Sequence, residues 1–150
     1  MTDKNTPIRS ICVYCGSQPG RDPAHMEAGR ALGKSIAENG IRLVYGGGTK
    51  GIMGAVASGV LSNGGEVTGI IPEFLVDMEA TRHSLGQLNE LVITKDMHER
   101  KHMMFERSDA FVTLPSPLLR LLLPAATVFT ILSHPLTARG DDVIDLPASS

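Results

Sequence analysis

The sequence predicts an α/β domain over residues 9 to about 115, with a parallel sheet and crossover helices. Three observations predict it. Short apolar runs of strand length alternate with longer stretches of helical character. The runs lack polar alternation, as expected of strands covered on both faces. Loops rich in small residues follow several of these runs, at the carboxyl ends where open α/β sheets bind ligands.

The elements follow in order. Residues 11–15, Ile11-Cys12-Val13-Tyr14-Cys15, form a first strand closed by Gly16-Ser17. Asp22 and Pro23 suit the N-cap and first position of a helix whose apolar residues are Met26, Leu32 and Ile36. Asn39-Gly40 is its stop signal. Residues 41–45 are a second strand, followed at once by three glycines. A small-residue helix over 52–61 ends at Asn63-Gly64-Gly65, and a third strand over 67–71 is broken by Pro72. Residues 73–90 carry mixed charge without a period and are expected to be irregular. A short strand over 91–93 precedes a helix from Asp96 to Arg107, on which Met97, Lys101 and Met104 share a face. Residues 110–114 are the last strand of this series.

A chain of 150 residues suits one domain with a real core. The net charge of −2, with no basic block, argues against a nucleic-acid partner. The N-terminal MTDKNTPIRS has no apolar core of a secretory signal, so a cytoplasmic protein is expected. The apolar stretch 118–132 is interrupted by Arg120 and Pro124 and is shorter than the roughly 20 residues of a membrane span, so no membrane is expected.

Four motifs carry chemistry. Gly46-Gly47-Gly48-Thr49 joins a strand to a helix, where exposed amides and the positive helix end suit a phosphate. It is not a P-loop, because no Gly-Lys-Ser/Thr follows. Cys12 and Cys15 have C-x-x-C spacing, but three residues apart on a strand they face opposite ways and read as core cysteines. His98-Glu99-Arg100-Lys101-His102 matches H-E-x-x-H, an alternative zinc reading that lacks a third ligand of the usual spacing. On the same helix Arg100 and Lys101 stand side by side and suit a ribose-phosphate.

Taken in order, Cys15-Gly16-Ser17, Leu43-Val44-Tyr45-Gly46-Gly47-Gly48, Gly51-Ile52-Met53-Gly54, Gly69-Ile70-Ile71-Pro72, Met97-His98-Glu99-Arg100-Lys101 and Ser108-Asp109-Ala110-Phe111 resemble the LOG ("lonely guy") family. These are the cytokinin riboside 5′-monophosphate phosphoribohydrolases, often mislabelled lysine decarboxylases. The resemblance implies a Rossmann-like, doubly wound fold, a homodimer, and hydrolysis of the N-glycosidic bond of nucleoside 5′-monophosphates, AMP included. No metal or other cofactor is implied. Arg100 would be catalytic, and Glu79, Met97, Arg100 and Lys101 would contact substrate. Phosphate is expected at Gly16 and Ser17 or at Gly46, Gly47, Gly48 and Thr49.

The chain then departs from the family. Where a P-G-G-x-G-T-x-E-E motif is expected, Pro115 is followed by Ser116-Pro117-Leu118-Leu119-Arg120, and no Asp or Glu occurs from 110 to 140. An oxocarbenium-like sugar wants a nearby carboxylate. Residues 116–150 are therefore an atypical segment, readable as a frameshift, truncation or splice junction, which the gene's other reading frames after codon 115 would test. Two main readings stay open: a LOG-type hydrolase, and a domain that holds a nucleotide without turning it over. The zinc enzyme is a third, and a non-productive, aggregation-prone truncated chain is a fourth.

Overall fold

A computed structural model of the chain describes residues 7–15, 23–114, 130–133 and 144–145. The elements are β1 (Ser10–Tyr14), α1 (Pro23–Glu38), β2 (Arg42–Tyr45), α2 (Gly51–Ser62), β3 (Val67–Pro72), a 3-10 turn (Glu73–Leu75), α3 (Val76–Glu79), α4 (Arg82–Leu85), β4 (Glu90–Thr94), α5 (Met97–Glu106), β5 (Ala110–Thr113), β6 (Thr130–Ser133) and β7 (Ile144–Asp145). They form one sheet in the order β4-β3-β2-β1-β5-β6-β7. β1 to β5 are parallel. β6 and β7 add antiparallel to the β5 edge, an extension the sequence pattern did not announce. The chain winds outward from β1 to β4, then returns to place β5 on the other side of β1. That reversal is the switch point of a doubly wound sheet.

Both faces of the central strands β1 to β3 are covered. Ile11, Val13, Leu43, Tyr45 and Val67 pack on one side with Ile36 of α1 and Ile52, Val56 and Val60 of α2. Cys12, Val44 and Ile70 pack on the other side with Met104 of α5. Alternate residues of each strand thus serve opposite layers, which is why the strand sequences are apolar throughout. Cys15 packs against the first layer while Cys12 belongs to the second, so the two thiols are free and face apart, as their spacing predicted. Burial pushes Cys12 up to about 11 and Cys15 up to about 12.

Helices α1 and α2 meet through glycine. The buried residues of α1 are Gly29, Gly33 and Ile36. A methyl group on Gly33 would overlap the Val56 carbonyl and lie 2.9 Å from the Val60 nitrogen. Reciprocally, one on Gly59 would lie 2.5 Å from the Arg30 carbonyl oxygen. Met26 and Leu32 flank this contact as partly buried residues.

Both helices stop at the predicted signals. After α1, Gly40 N–H donates to Ala37 O (3.0 Å) and Ile41 N–H to Ile36 O (3.1 Å), with Gly40 at φ +65°. After α2, Gly64 N–H donates to Leu61 O (3.2 Å) and Gly65 N–H to Val60 O (2.9 Å), with Gly64 at φ +74°. The Asn39 and Asn63 amides each reach back to a carbonyl at 2.7 Å. Both are Schellman ends. Nothing lies within 4 Å of a side chain added at Gly40. Gly40→Ala therefore meets only the left-handed backbone penalty, and urea unfolding should show a loss of about 1 kcal/mol.

Residues 73–90 are not irregular as expected: three short helical turns occupy much of the segment. A four-residue helix shows no full period, so the pattern was silent. The α4 turn is held instead by a capping box, in which Thr81 Oγ1 accepts from Ser84 N–H (3.2 Å) and Ser84 Oγ from Thr81 N–H (3.1 Å).

At the amino ends of the strands, Arg42 pairs with Glu66 at 2.6 Å and with Glu90 at 3.4 Å, and Arg107 closes on the other Glu90 oxygen. Thr68 also donates to Glu90, at 3.1 Å. The Arg107 hydrogen bond, then Thr68 and the two arginine charges, hold the Glu90 carboxyl below its ordinary value. A carboxylate depressed in the folded state stabilises above its unfolded pKa and loses that contribution as pH falls through the folded one. Wild type should exceed Glu90→Gln in urea stability near neutrality. The difference should shrink below about pH 4, on the acid side of the usual glutamate range.

Candidate functional site

The loop that continues β2 is buried from Gly46 to Gly48, whereas Thr49 and Lys50 are exposed. Gly47 has φ +79°, a conformation that favours glycine. Gly48 N–H points at Met53 Sδ (3.2 Å). Thr49 donates both its amide (3.1 Å) and its hydroxyl (3.5 Å) to the Glu79 carbonyl, and Lys50 Nζ donates to Met78 O (3.3 Å). The 76–79 turn is thereby fastened to the entrance of α2, and the Thr49 amide is occupied by a backbone carbonyl.

Arg100 reaches this loop from α5. Asp96 caps that helix by accepting from Glu99 N–H (2.8 Å), and Glu99 returns to accept from Lys95 N–H (2.7 Å). The Arg100 side chain is only 9% exposed. Its Nε donates to Ile70 O on β3 (3.0 Å), and its Nη2 donates to Gly46 O and faces Glu79 Oε2 at 3.4 Å. Nη1 has no oxygen partner among the described residues, only Met97 Sδ at 3.7 Å. A buried guanidinium is thus neutralised by one carboxylate and aligned by two carbonyls, with one nitrogen left for a further acceptor.

The structure therefore brings together Arg100, Glu79, Met97 and Gly46, with Gly47, Gly48 and Thr49 adjoining. It does not place Lys101 with them. The Lys101 side chain is exposed and makes no hydrogen bond or ion pair among the described residues. Met97, Lys101 and Met104 share a face of α5 by their spacing, but the set that the fold buries is Arg100 and Met104. Both sets fit helical spacing, and the sheet selects the second. Gly16 and Ser17 lie outside the described residues, as do the Asp22 cap, His134 and most of 116–150. Sequence reading missed the Ile70 carbonyl, which no side-chain pattern announces, and Met53, whose position one turn into α2 was the available signal.

The H-E-x-x-H match has other duties. Glu99 caps α5, His102 Nε2 lies 3.2 Å from Glu106, and His98 is exposed. No group of three His, Cys, Asp or Glu side chains converges among the described residues. No helix among them is long and apolar enough to cross a membrane.

A doubly wound parallel sheet with a buried arginine paired to a half-buried glutamate beside a glycine loop, at the carboxyl ends of β2 and β3, defines a Rossmann-like α/β protein with its site at the usual edge. Residues 53–116 match the family described as "Possible lysine decarboxylase". The chain is 44% identical over 109 residues to a probable cytokinin riboside 5′-monophosphate phosphoribohydrolase, LOG4, of Oryza sativa subsp. japonica, covering 73% of this chain and 46% of that protein. It is also 44% identical over 108 residues to a cytokinin riboside 5′-monophosphate phosphoribohydrolase of Rhodococcoides fascians, covering 71% and 53%. Over this matched stretch the chain is similar to proteins named for the LOG family. It spans about half the length of these relatives. Among solved structures, the molybdenum cofactor carrier protein of Chlamydomonas reinhardtii superposes with TM-score 0.58 at 21% identity, covering 71% of this chain and 62% of that one, a likeness of fold alone.

Proposed function

We propose that the chain is a LOG-type hydrolase that binds a nucleoside 5′-monophosphate at the carboxyl ends of β2 and β3 and cleaves its N-glycosidic bond. Water adds to the ribose C1′ as the C1′–N bond breaks, and the base leaves with a proton, giving free base and ribose 5-phosphate. Cytokinin ribotides and AMP are the substrates in this reading. What carries it is the buried Arg100 paired with the half-buried Glu79, with Nη1 uncommitted, on a chain whose relatives are named for this reaction. Arg100 contacts the substrate as the catalytic residue, with Glu79 and Met97 beside it. Exposed Lys101 closes on the nucleotide from outside, and the phosphate lies along the 46–49 loop or Gly16-Ser17. A cytoplasmic homodimer belongs to the same reading, and sedimentation would test its stoichiometry.

One observation favours a second reading, of a domain that holds a nucleotide without hydrolysing it. The stretch 110–140 contains no acidic residue to support the ribosyl cation or activate water. Glu79 is already paired to Arg100. Incubating the protein with AMP and with a cytokinin ribotide, and resolving released base by chromatography, separates the two. Base release establishes the hydrolase. Binding by calorimetry without release establishes the second reading, and neither binding nor release overturns both.

A further inference from the structure

The triple glycine has a second account, independent of phosphate. A Cβ on Gly46 would fall on the Arg100 guanidinium, 3.1 Å from Cζ and closer still to Nη2. At that distance no side chain is tolerated unless the arginine moves. The Gly46 carbonyl is itself the acceptor for Nη2. Gly46 therefore supplies both the space and the bond that seat Arg100. Gly47 is different: its φ is +79°, and an added Cβ would press on Ile71 at 3.2 Å, without touching Arg100.

We propose that Gly46 is a positioning residue that fixes which end of the Arg100 guanidinium meets the ligand. Its carbonyl and that of Ile70 hold Nη2 and Nε, so that Nη1, beside the Met97 thioether, is the nitrogen presented. Arg100 then offers a single nitrogen to a nucleotide oxygen, while its other nitrogens stay bound to the protein. The requirement at this seat is geometric rather than chemical: any residue larger than glycine at 46 turns the fork out of register. The assignment of Nη1 to a nucleotide rests on the function proposed above; the coupling of Gly46 to Arg100 does not.

The test is a double-mutant cycle on the full chain, with Gly47→Ala as the control for ordinary loop strain. Gly46→Ala should lower the melting temperature and weaken AMP binding about tenfold to a hundredfold, the range for loss of a charge-assisted contact. In an Arg100→Ala background, where the guanidinium is gone, adding Gly46→Ala should cost almost nothing further. Gly47→Ala should lower the melting temperature by the same amount in both backgrounds, since its added methyl meets Ile71 and strains the loop without touching Arg100. A direct readout needs no Arg100 variant: the Arg100 Nε–H should exchange slowly by NMR in wild type and in Gly47→Ala, and rapidly in Gly46→Ala. Equal losses from Gly46→Ala in both backgrounds, or an unaltered Nε–H signal, would overturn the proposal. If wild type binds no AMP, the proposed function fails, while the melting and exchange arms still decide the seat.

Discussion

Arg100→Ala is expected to bring base release below detection and to weaken AMP binding by about two orders of magnitude. The side chain is the buried cation of the site, paired with Glu79, so its removal takes away the charge that would meet the nucleotide from within. It also strands its partners. Buried carbonyls at Gly46 and Ile70 lose their donors, each worth about 1–3 kcal/mol when left unsatisfied. Glu79 is 26% exposed and recovers part of its solvation, which limits the total to about 2–4 kcal/mol. Arg100→Lys separates charge from shape: a point charge cannot hold two carbonyls and a carboxylate while presenting a further nitrogen. It should bind AMP better than the alanine variant and still release no base. Calorimetry, chromatography of released base and urea unfolding check the three parts. Wild-type AMP affinity in Arg100→Ala would remove Arg100 from the site.

Gly33→Ala should destabilise the protein by about 3 kcal/mol or more in urea unfolding, although helix propensity alone argues for a gain of about 1 kcal/mol. The sign is decided by what the methyl meets. Its neighbours are backbone atoms of α2, the Val56 carbonyl and the Val60 nitrogen, which cannot swing aside as a side chain would. The two helices must part along their contact. Gly29→Ala is the internal comparison, because its methyl would meet Ala55 and Ile52 at 3.3 Å and 3.4 Å, a tight but yielding contact. It should cost less than about 1 kcal/mol. A neutral or stabilised Gly33→Ala would mean that α1 and α2 do not pack as closely as described.

These two sites show where the sequence was readable and where it was not. Residues 41–45 and 67–71 were legible as strands because parallel strands buried on both faces are apolar without alternation. Asn39-Gly40 and Asn63-Gly64 were legible as stops because the left-handed residue of a Schellman end is usually glycine. By contrast, the apolar positions Met26, Leu32 and Ile36 gave no sign of Gly33, which is buried against α2. Its role depends on Val56 and Val60, and local pattern carries no information about that approach. The meeting of Gly46, Ile70, Glu79 and Arg100 was visible only as a roster of family residues. Their geometry follows from the register of β2, β3 and α5. The inward turn of Arg100 had a signal, its i, i+4 relation to the buried Met104, but Lys101 satisfied an i, i+3 relation equally well.

The paired helix ends have a consequence for the sheet. Three hydrogen bonds of the Gly40 end recur at the Gly64 end with every residue number advanced by 24: Gly40 to Ala37 becomes Gly64 to Leu61, Ile41 to Ile36 becomes Gly65 to Val60, and the Asn39 side-chain amide on Ser35 becomes the Asn63 side-chain amide on Gly59. The ladder between β2 and β3 carries the same interval, since Leu43 lies opposite Val67 and Tyr45 opposite Gly69. One translation along the chain therefore maps cap onto cap and strand onto strand. The caps act as datum marks from which both strands are measured into the sheet. Deleting one residue between a cap and its strand would break that equivalence and slide β2 against β3 by one position. Layers would then exchange, with Val44 offered to the helices that now receive Leu43.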